Sequence, residues 1–225
     1  MAERGAALIT GGARRIGRAL VGACADAGYD VAIHACDLRR EPATVALVGE
    51  AETELGPVTL LVNCASVFEE DAFSDFNRAS WDLHMETNLR APLVLAQAFA
   101  RRLPAGREGL IVNILDQRVL NPRPDFFSYS LSKSALWAAT QMLAQALSPR
   151  VRVNAIGPGP TLANQHQDAA AFEAEAASTL LGHAVDPAEV AAALRYLIDA
   201  PSVTGQMIAV DAGQHLAGRE GRHGG

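Results

Sequence analysis

Residues 9–20, ITGGARRIGRAL, carry an apolar strand into a glycine-bearing turn and out again as a helix. Such a turn aims backbone N–H groups and the positive helix end at one point, a ready place for an anion such as a dinucleotide pyrophosphate. On spacing alone an ordinary strand-to-helix turn fits equally well, because isolated glycine patterns are weak signals. Arg14 and Arg15 favour the anion, since two cations at a helix start oppose its dipole unless a negative group is expected there.

Working outward, apolar or β-branched runs alternate with Ala- and Leu-rich amphipathic stretches, the pattern of a parallel sheet joined by crossover helices. The pattern predicts strands at 6–10, 30–35, 58–62, 109–114, 151–156 and 207–210. Helices are predicted at 15–27, 42–55, 80–103, 127–147, 169–180 and 187–199. The last has a legible start: Asp186 can cap, Pro187 suits the first helical position, and Glu189 stands where a capping-box acid belongs. Between the second strand and LLVN (60–63), a full doubly wound half needs an additional helix and strand, roughly 50 residues at about 30 per βαβ unit. Only EPATVALVGEAETEL (41–55) is there. The expectation is an α/β, Rossmann-like, doubly wound sheet of six parallel strands, with an edge strand and its helix missing.

A chain of 225 residues, 49% of them apolar, can bury a sizeable core in one domain. We expect that domain to span 1–215, with the polar, glycine-rich 216–225 as a mobile tail. Formal net charge is −6 and no Lys/Arg-rich run occurs, which argues against nucleic acid as a partner. Apolar runs fall short of a bilayer span, and MAERGAALIT passes from a charged pair straight into a strand, so the expectation is a soluble, cytoplasmic protein without membrane contact. Cys24, Cys36 and Cys64 are odd in number and widely spaced, and read as reduced thiols. His34, His84, His166, His183, His215 and His223 show no ligand spacing, so no metal is expected.

NILDQ (113–117) ends an apolar strand on a carboxylate, Asp116, and thirteen residues later comes the Tyr129 of SYSLSK (128–133). Tyr129 and Lys133 stand four apart on one helix face. A free phenol, with a pKa of about 10, is a poor acid–base catalyst at neutral pH, but a nearby ammonium stabilises the phenolate and lowers that value. Alone, the pair is more simply a solvated Tyr and Lys. Glycine loop, strand-end Asp and pair nevertheless occur in the order that brings all three to the carboxyl edge of one sheet, where such folds bind ligands.

With these motifs, nearly the whole chain resembles a short-chain dehydrogenase/reductase, and is most similar to the pteridine reductases and bacterial dihydromonapterin or dihydrofolate reductases. Arg15 stands where most members have Gly, a mark of the pteridine-reducing branch. NCAS (63–66) resembles the family's Asn-Asn-Ala-Ser turn, with Cys64 replacing the second Asn. Phe68 falls where those reductases place a ring that stacks on the pterin, and Asn88 in METNLRAP matches the helix Asn that holds a proton-relay water. NAIGPGPT and VTGQMIAVDAG resemble the strand before Pro-Gly and the closing strand. The resemblance implies catalytic roles for Asp116, Tyr129, Lys133 and Asn88. It implies cofactor contacts from Gly11, Arg14, Arg15, Ile16, Gly17, His34, Asp37, Leu38, Asn63, Ala65, Ser66, Lys133, Pro158, Gly159 and Thr161. Arg15, Ser66, Phe68, Asp116 and Tyr129 would meet the substrate.

Most members carry a Ser where this chain has Asp116. A carboxylate there repels the charge that develops on a ketone oxygen, whereas a ring nitrogen receiving a proton suits it. The implied reaction is NADPH-dependent hydride transfer to a dihydropterin or similar C=N heterocycle. A ketone reductase acting on, for example, a 3-oxoacyl thioester is the alternative. The shortened cofactor half and Cys64 also admit a weakly catalytic dinucleotide-binding or assembly subunit. Arg14, Arg15 and Arg39 favour NADP(H), while Asp37 at the ribose position would favour NAD(H). By resemblance the protein forms a homodimer or homotetramer.

Overall fold

In the computed structural model, which describes residues 4–217, six parallel strands form one sheet in the order β2-β1-β3-β4-β5-β6. They are β1 (Ala6–Thr10), β2 (Asp30–Ala32), β3 (Val58–Asn63), β4 (Gly109–Ile114), β5 (Val151–Pro158) and β6 (Met207–Val210). The helices are α1 (Arg15–Asp26), α2 (Glu41–Leu55), α3 (Arg78–His84), α4 (Ala91–Arg102), α5 (Phe127–Leu147), α6 (Ala169–Ala177) and α7 (Pro187–Asp199). Strands β1, β3 and β4 are buried along their whole length, so they need apolar side chains on both faces. Alternate residues divide accordingly. Ala6 and Leu8 join the core under α2, α4 and α5, while Ala7 and Ile9 pack beneath α1 and α7.

The expected absence of one edge strand and its helix holds: β2 is the edge, and the chain turns from it into α2. That edge is shorter than expected. Pairing with β1 covers only Asp30 to Ala32, since a strand with no neighbour on its outer side has no second ladder to hold residues 33–35. The expected helix 80–103 is instead α3, a wide π turn (Met85–Arg90) and α4. Pro92 explains the break. It has no N–H for the Asn88 carbonyl, and the Ala91 N–H reaches back five residues to Glu86. Helix α6 stops at Ala177, where the Thr179 hydroxyl gathers the N–H groups of Gly182 and His183 into a turn. The start of α7 is as expected, with Asp186 and Glu189 forming a capping box. Of the expected tail, Leu216 closes a short 3-10 turn (Gln214–Leu216); residues 218–225, His223 among them, lie outside the described part. Among the described residues no helix is long and apolar enough to cross a membrane.

Candidate active site

The carboxyl ends of β1, β3, β4 and β5 converge on one cleft. At β1, Gly11 has φ +69°, and a Cβ there would stand 2.9 Å from the Cα of Ala65. A Cβ on Gly17 would stand 2.1 Å from the Gly11 carbonyl oxygen, so α1 comes this close to the loop only with glycine. Thr10 Oγ1 accepts the N–H groups of Cys64 and Ala65 at 3.1 Å each, tying the first loop to the end of β3. No side chain caps α1 and its first turn has no acid, which leaves its leading N–H groups for an anion. Arg14 is exposed at that start. Arg15 takes a left-handed φ of 54° and donates across the cleft to the carbonyls of Ala163 and Leu162, at 2.8 and 2.9 Å. Ile16 packs inward on the core beneath α1.

The chemical centre lies between β4 and α5. The Tyr129 hydroxyl donates to Asp116 Oδ2 at 2.8 Å, and Asp116 Oδ1 accepts the Arg118 N–H at 2.8 Å. Lys133, 2% exposed, donates to the Ile114 carbonyl at 2.8 Å. Burial pulls the Lys133 pKa down to about 8, against the opposing pull of Asp116 and Cys64. The phenol behaves contrary to the sequence expectation of an ammonium-lowered pKa. Burial first, and the adjoining Asp116 carboxylate second, push Tyr129 well above its ordinary value, because ionising it would set two anions side by side. Tyr129 is therefore a neutral donor in this structure.

Asn88, on the π turn, grips the next loop: its Oδ1 accepts from Val67 N–H at 2.8 Å and Ser66 Oγ at 3.1 Å, and its Nδ2 donates to the Val67 carbonyl at 2.9 Å. Phe68 then projects over the centre, edge to face with Tyr129 at 4.6 Å. Its other neighbour is Phe126, stacked at 4.1 Å and 13°. Phe126 carries a left-handed φ of 51° directly before α5. Arg118 backs it, 5.2 Å from the ring and paired with Asp125 at 2.9 Å. Sequence reading missed Phe126 and Arg118. A doubled aromatic just ahead of SYSLSK is the one signal that points there.

At β5 and beyond, Gly159 packs so tightly that a Cβ would meet the Asp211 Cα at 2.7 Å, and buried Thr161 donates to the Gly159 carbonyl at 3.0 Å. Pro158 ends β5 beside them. Four expected cofactor residues stand apart from this centre. Asn63 is buried and donates to Asn113 at 2.8 Å within the sheet. His34 lies 3.9 and 3.8 Å from the Glu50 and Glu54 carboxylates of α2. Asp37 accepts from Arg39 through both oxygens, at 2.9 Å each, and Leu38 packs on the core under α2. Among the described residues, no group of three or more His, Cys, Asp or Glu side chains could hold a metal.

A family model described as enoyl-(acyl carrier protein) reductase matches residues 1–215. The chain belongs to the short-chain dehydrogenase/reductase family. Among solved structures, FolM alternative dihydrofolate reductase 1 from Brucella canis, complexed with NADP, is 42% identical with a TM-score of 0.95, covering 100% of this chain and 99% of its own. Its counterpart from Brucella suis, also in complex with NADP, is 44% identical with a TM-score of 0.93, covering 97% and 98%. The 3-oxoacyl-[acyl-carrier-protein] reductase of Bos taurus is 28% identical over 92% of this chain and 97% of its own. The fold and centre described above are thus those of an oxidoreductase family whose substrates are small molecules.

Proposed function

We propose that residues 1–215 act as one dinucleotide-binding domain, an NADPH-dependent reductase of a dihydropterin or similar bicyclic heterocycle with a C=N bond. The observation that carries this is the Tyr129 hydroxyl donating to Asp116 at 2.8 Å. A ketone oxygen gathering negative charge would face that carboxylate, whereas ring N–H and amino groups are donors for it.

The chain fits the cofactor. Gly11 and Gly17 keep the loop free of side-chain bulk, and the uncapped start of α1 with Arg14 supplies donors for phosphate. Asp37 is neutralised by Arg39, so it does not oppose a phosphorylated ribose and NADP(H) is favoured over NAD(H). The Brucella canis protein, in complex with NADP, matches this chain over 100% of its length at a TM-score of 0.95, which supports a dinucleotide site in a chain of this shape.

Hydride for the ring carbon would come from the nicotinamide when NADPH is bound. Phe68 and Arg15 clamp the heterocycle, and Ser66 borders it. Asp116 accepts from its N–H groups. The neutral Tyr129 hydroxyl, or a water handed on by Asp116, gives the proton that the reduced nitrogen takes. Lys133 holds the ribose and supplies the positive charge beside Tyr129. Asn88, satisfied by Val67 and Ser132, holds the loop rather than the substrate. Leu93, Ala100, Leu143 and Leu147 line an apolar groove between α4 and α5, and we take this face as the seam of a homodimer or homotetramer. The proposed setting is the cytoplasm, which keeps three free thiols reduced. Steady-state rates with NADPH on dihydrofolate and dihydropterins, set against 3-oxoacyl thioesters, test the reading; a clear preference for the ketone overturns it.

A further inference from the structure

His84, Ser128 and Asp71 form a buried polar chain beside the centre, at 0%, 0% and 7% exposure. Its hydrogen bonds fix every proton. Asp71 accepts both the Ser128 N–H, at 2.9 Å, and the Ser128 hydroxyl. With its proton given to Asp71, Ser128 Oγ can only accept from His84 Nδ1, 2.6 Å away. His84 Nε2 in turn accepts the Glu69 N–H at 3.1 Å. The ring is thus a neutral imidazole with its proton on Nδ1. Burial supports this by holding the His84 pKa down against the Asp71 and Glu69 carboxylates. The trio is not a hydrolytic triad, because the serine sits between acid and histidine and is sealed from solvent.

Its connections give it another use. Glu69 follows Phe68, Ser128 precedes Tyr129, and the Asp71 carbonyl accepts from Phe127 N–H at 3.0 Å. On the other side of Phe68, Asn88 grips Val67. We propose that His84 is a positioning residue: by accepting from Glu69 and donating to Ser128, it locks the loop bearing Phe68 to the start of the helix bearing Tyr129. The aromatic wall of the substrate pocket then stands at a set distance from the proton donor. This rests on the reading that Phe68 contacts the heterocycle.

Two variants separate the halves of the imidazole. His84→Asn keeps a donor for Ser128 and loses the acceptor for Glu69; His84→Gln keeps the acceptor and loses the donor. Each gives up one buried hydrogen bond, so both lower Tm to a similar degree. With dihydrofolate and NADPH, either variant opens the lock at one end, so each raises the substrate KM about tenfold with kcat and NADPH affinity little changed. A parent-like KM in either variant, or a loss confined to kcat, overturns the proposal. Should the variants not fold, the parent protein answers: in assigned 15N spectra of histidine-labelled protein, the His84 imidazole is the neutral Nδ1–H tautomer at neutral pH, distinguished from His183 and His215, which also donate from Nδ1, by assignment through their single substitutions. If the His84 imidazole is in any other state, the proposal falls. Failure to turn over any pterin would count against the proposed function and leave the spectroscopic result standing.

Discussion

Replacing Lys133 by methionine should strengthen the fold while abolishing turnover. The ammonium is buried, and burial holds its pKa at about 8 against an ordinary 10.5. That difference corresponds to a native-state cost of roughly 3 kcal/mol at pH 7. Methionine fills a similar volume without charge, but leaves the Ile114 carbonyl without its Lys133 donor, a loss of about 1 kcal/mol. The variant should therefore gain roughly 2 kcal/mol at pH 7 by urea unfolding of the cofactor-free protein. The sign with pH follows from proton counting. Between pH 8 and 10.5 the unfolded chain still binds the proton that the native chain has released, so parent stability rises with pH in that window. Near pH 9.5 the cost has fallen to roughly 1 kcal/mol and the variant's advantage to about zero. Cys24 and Cys64, pushed up to about 12 and about 11 by burial, act oppositely there; Cys24 cancels in the difference, while Cys64 loses the Lys133 ammonium that favours its thiolate, which narrows the variant's advantage further as pH rises. A variant less stable than the parent at pH 7, or a gap indifferent to pH, would refute the reasoning.

In the glycine loop, Gly17→Ala places a Cβ 2.1 Å from the Gly11 carbonyl; the loop must part from α1, and NADPH affinity, read by fluorescence titration, should fall on the order of tenfold or more. Asp116→Ser removes the carboxylate that holds the Tyr129 proton. Turnover of dihydrofolate should drop roughly a hundredfold, relative activity on 3-oxoacyl thioesters should rise, and the alkaline limb of the pH–rate profile should move to lower pH as Tyr129 becomes easier to ionise. Arg15→Ala frees the carbonyls of Leu162 and Ala163 and takes a clamp from the pocket, so the substrate KM should rise about tenfold with Tm nearly unchanged.

What the sequence reveals of this molecule, and what it hides, divides along a physical line. Strands buried on both faces read clearly because every residue from Leu60 to Val62 or Leu110 to Val112 must be apolar. Gly17 reads clearly because nothing else fits against Gly11. The π turn was less visible, since its cause is one missing N–H at Pro92 inside a pattern that is otherwise helical. The raised Tyr129 pKa was hidden for a different reason. Four-residue spacing puts Lys133 on the same face as Tyr129, but spacing is silent on distance and burial, and the ammonium turns to Ile114 while Asp116 takes the phenol. His84 and Ser128 are further still from legibility, being 44 residues apart: Ser128 opens SYSLSK, but nothing in that motif points to a histidine. Their meaning resides in a proton order, Glu69 N–H to His84 to Ser128 to Asp71, that exists only once three separate backbone segments have met. A histidine that works as a neutral donor and acceptor at once needs no ligand spacing and no flanking charge, so its lack of pattern says nothing against a role at the centre.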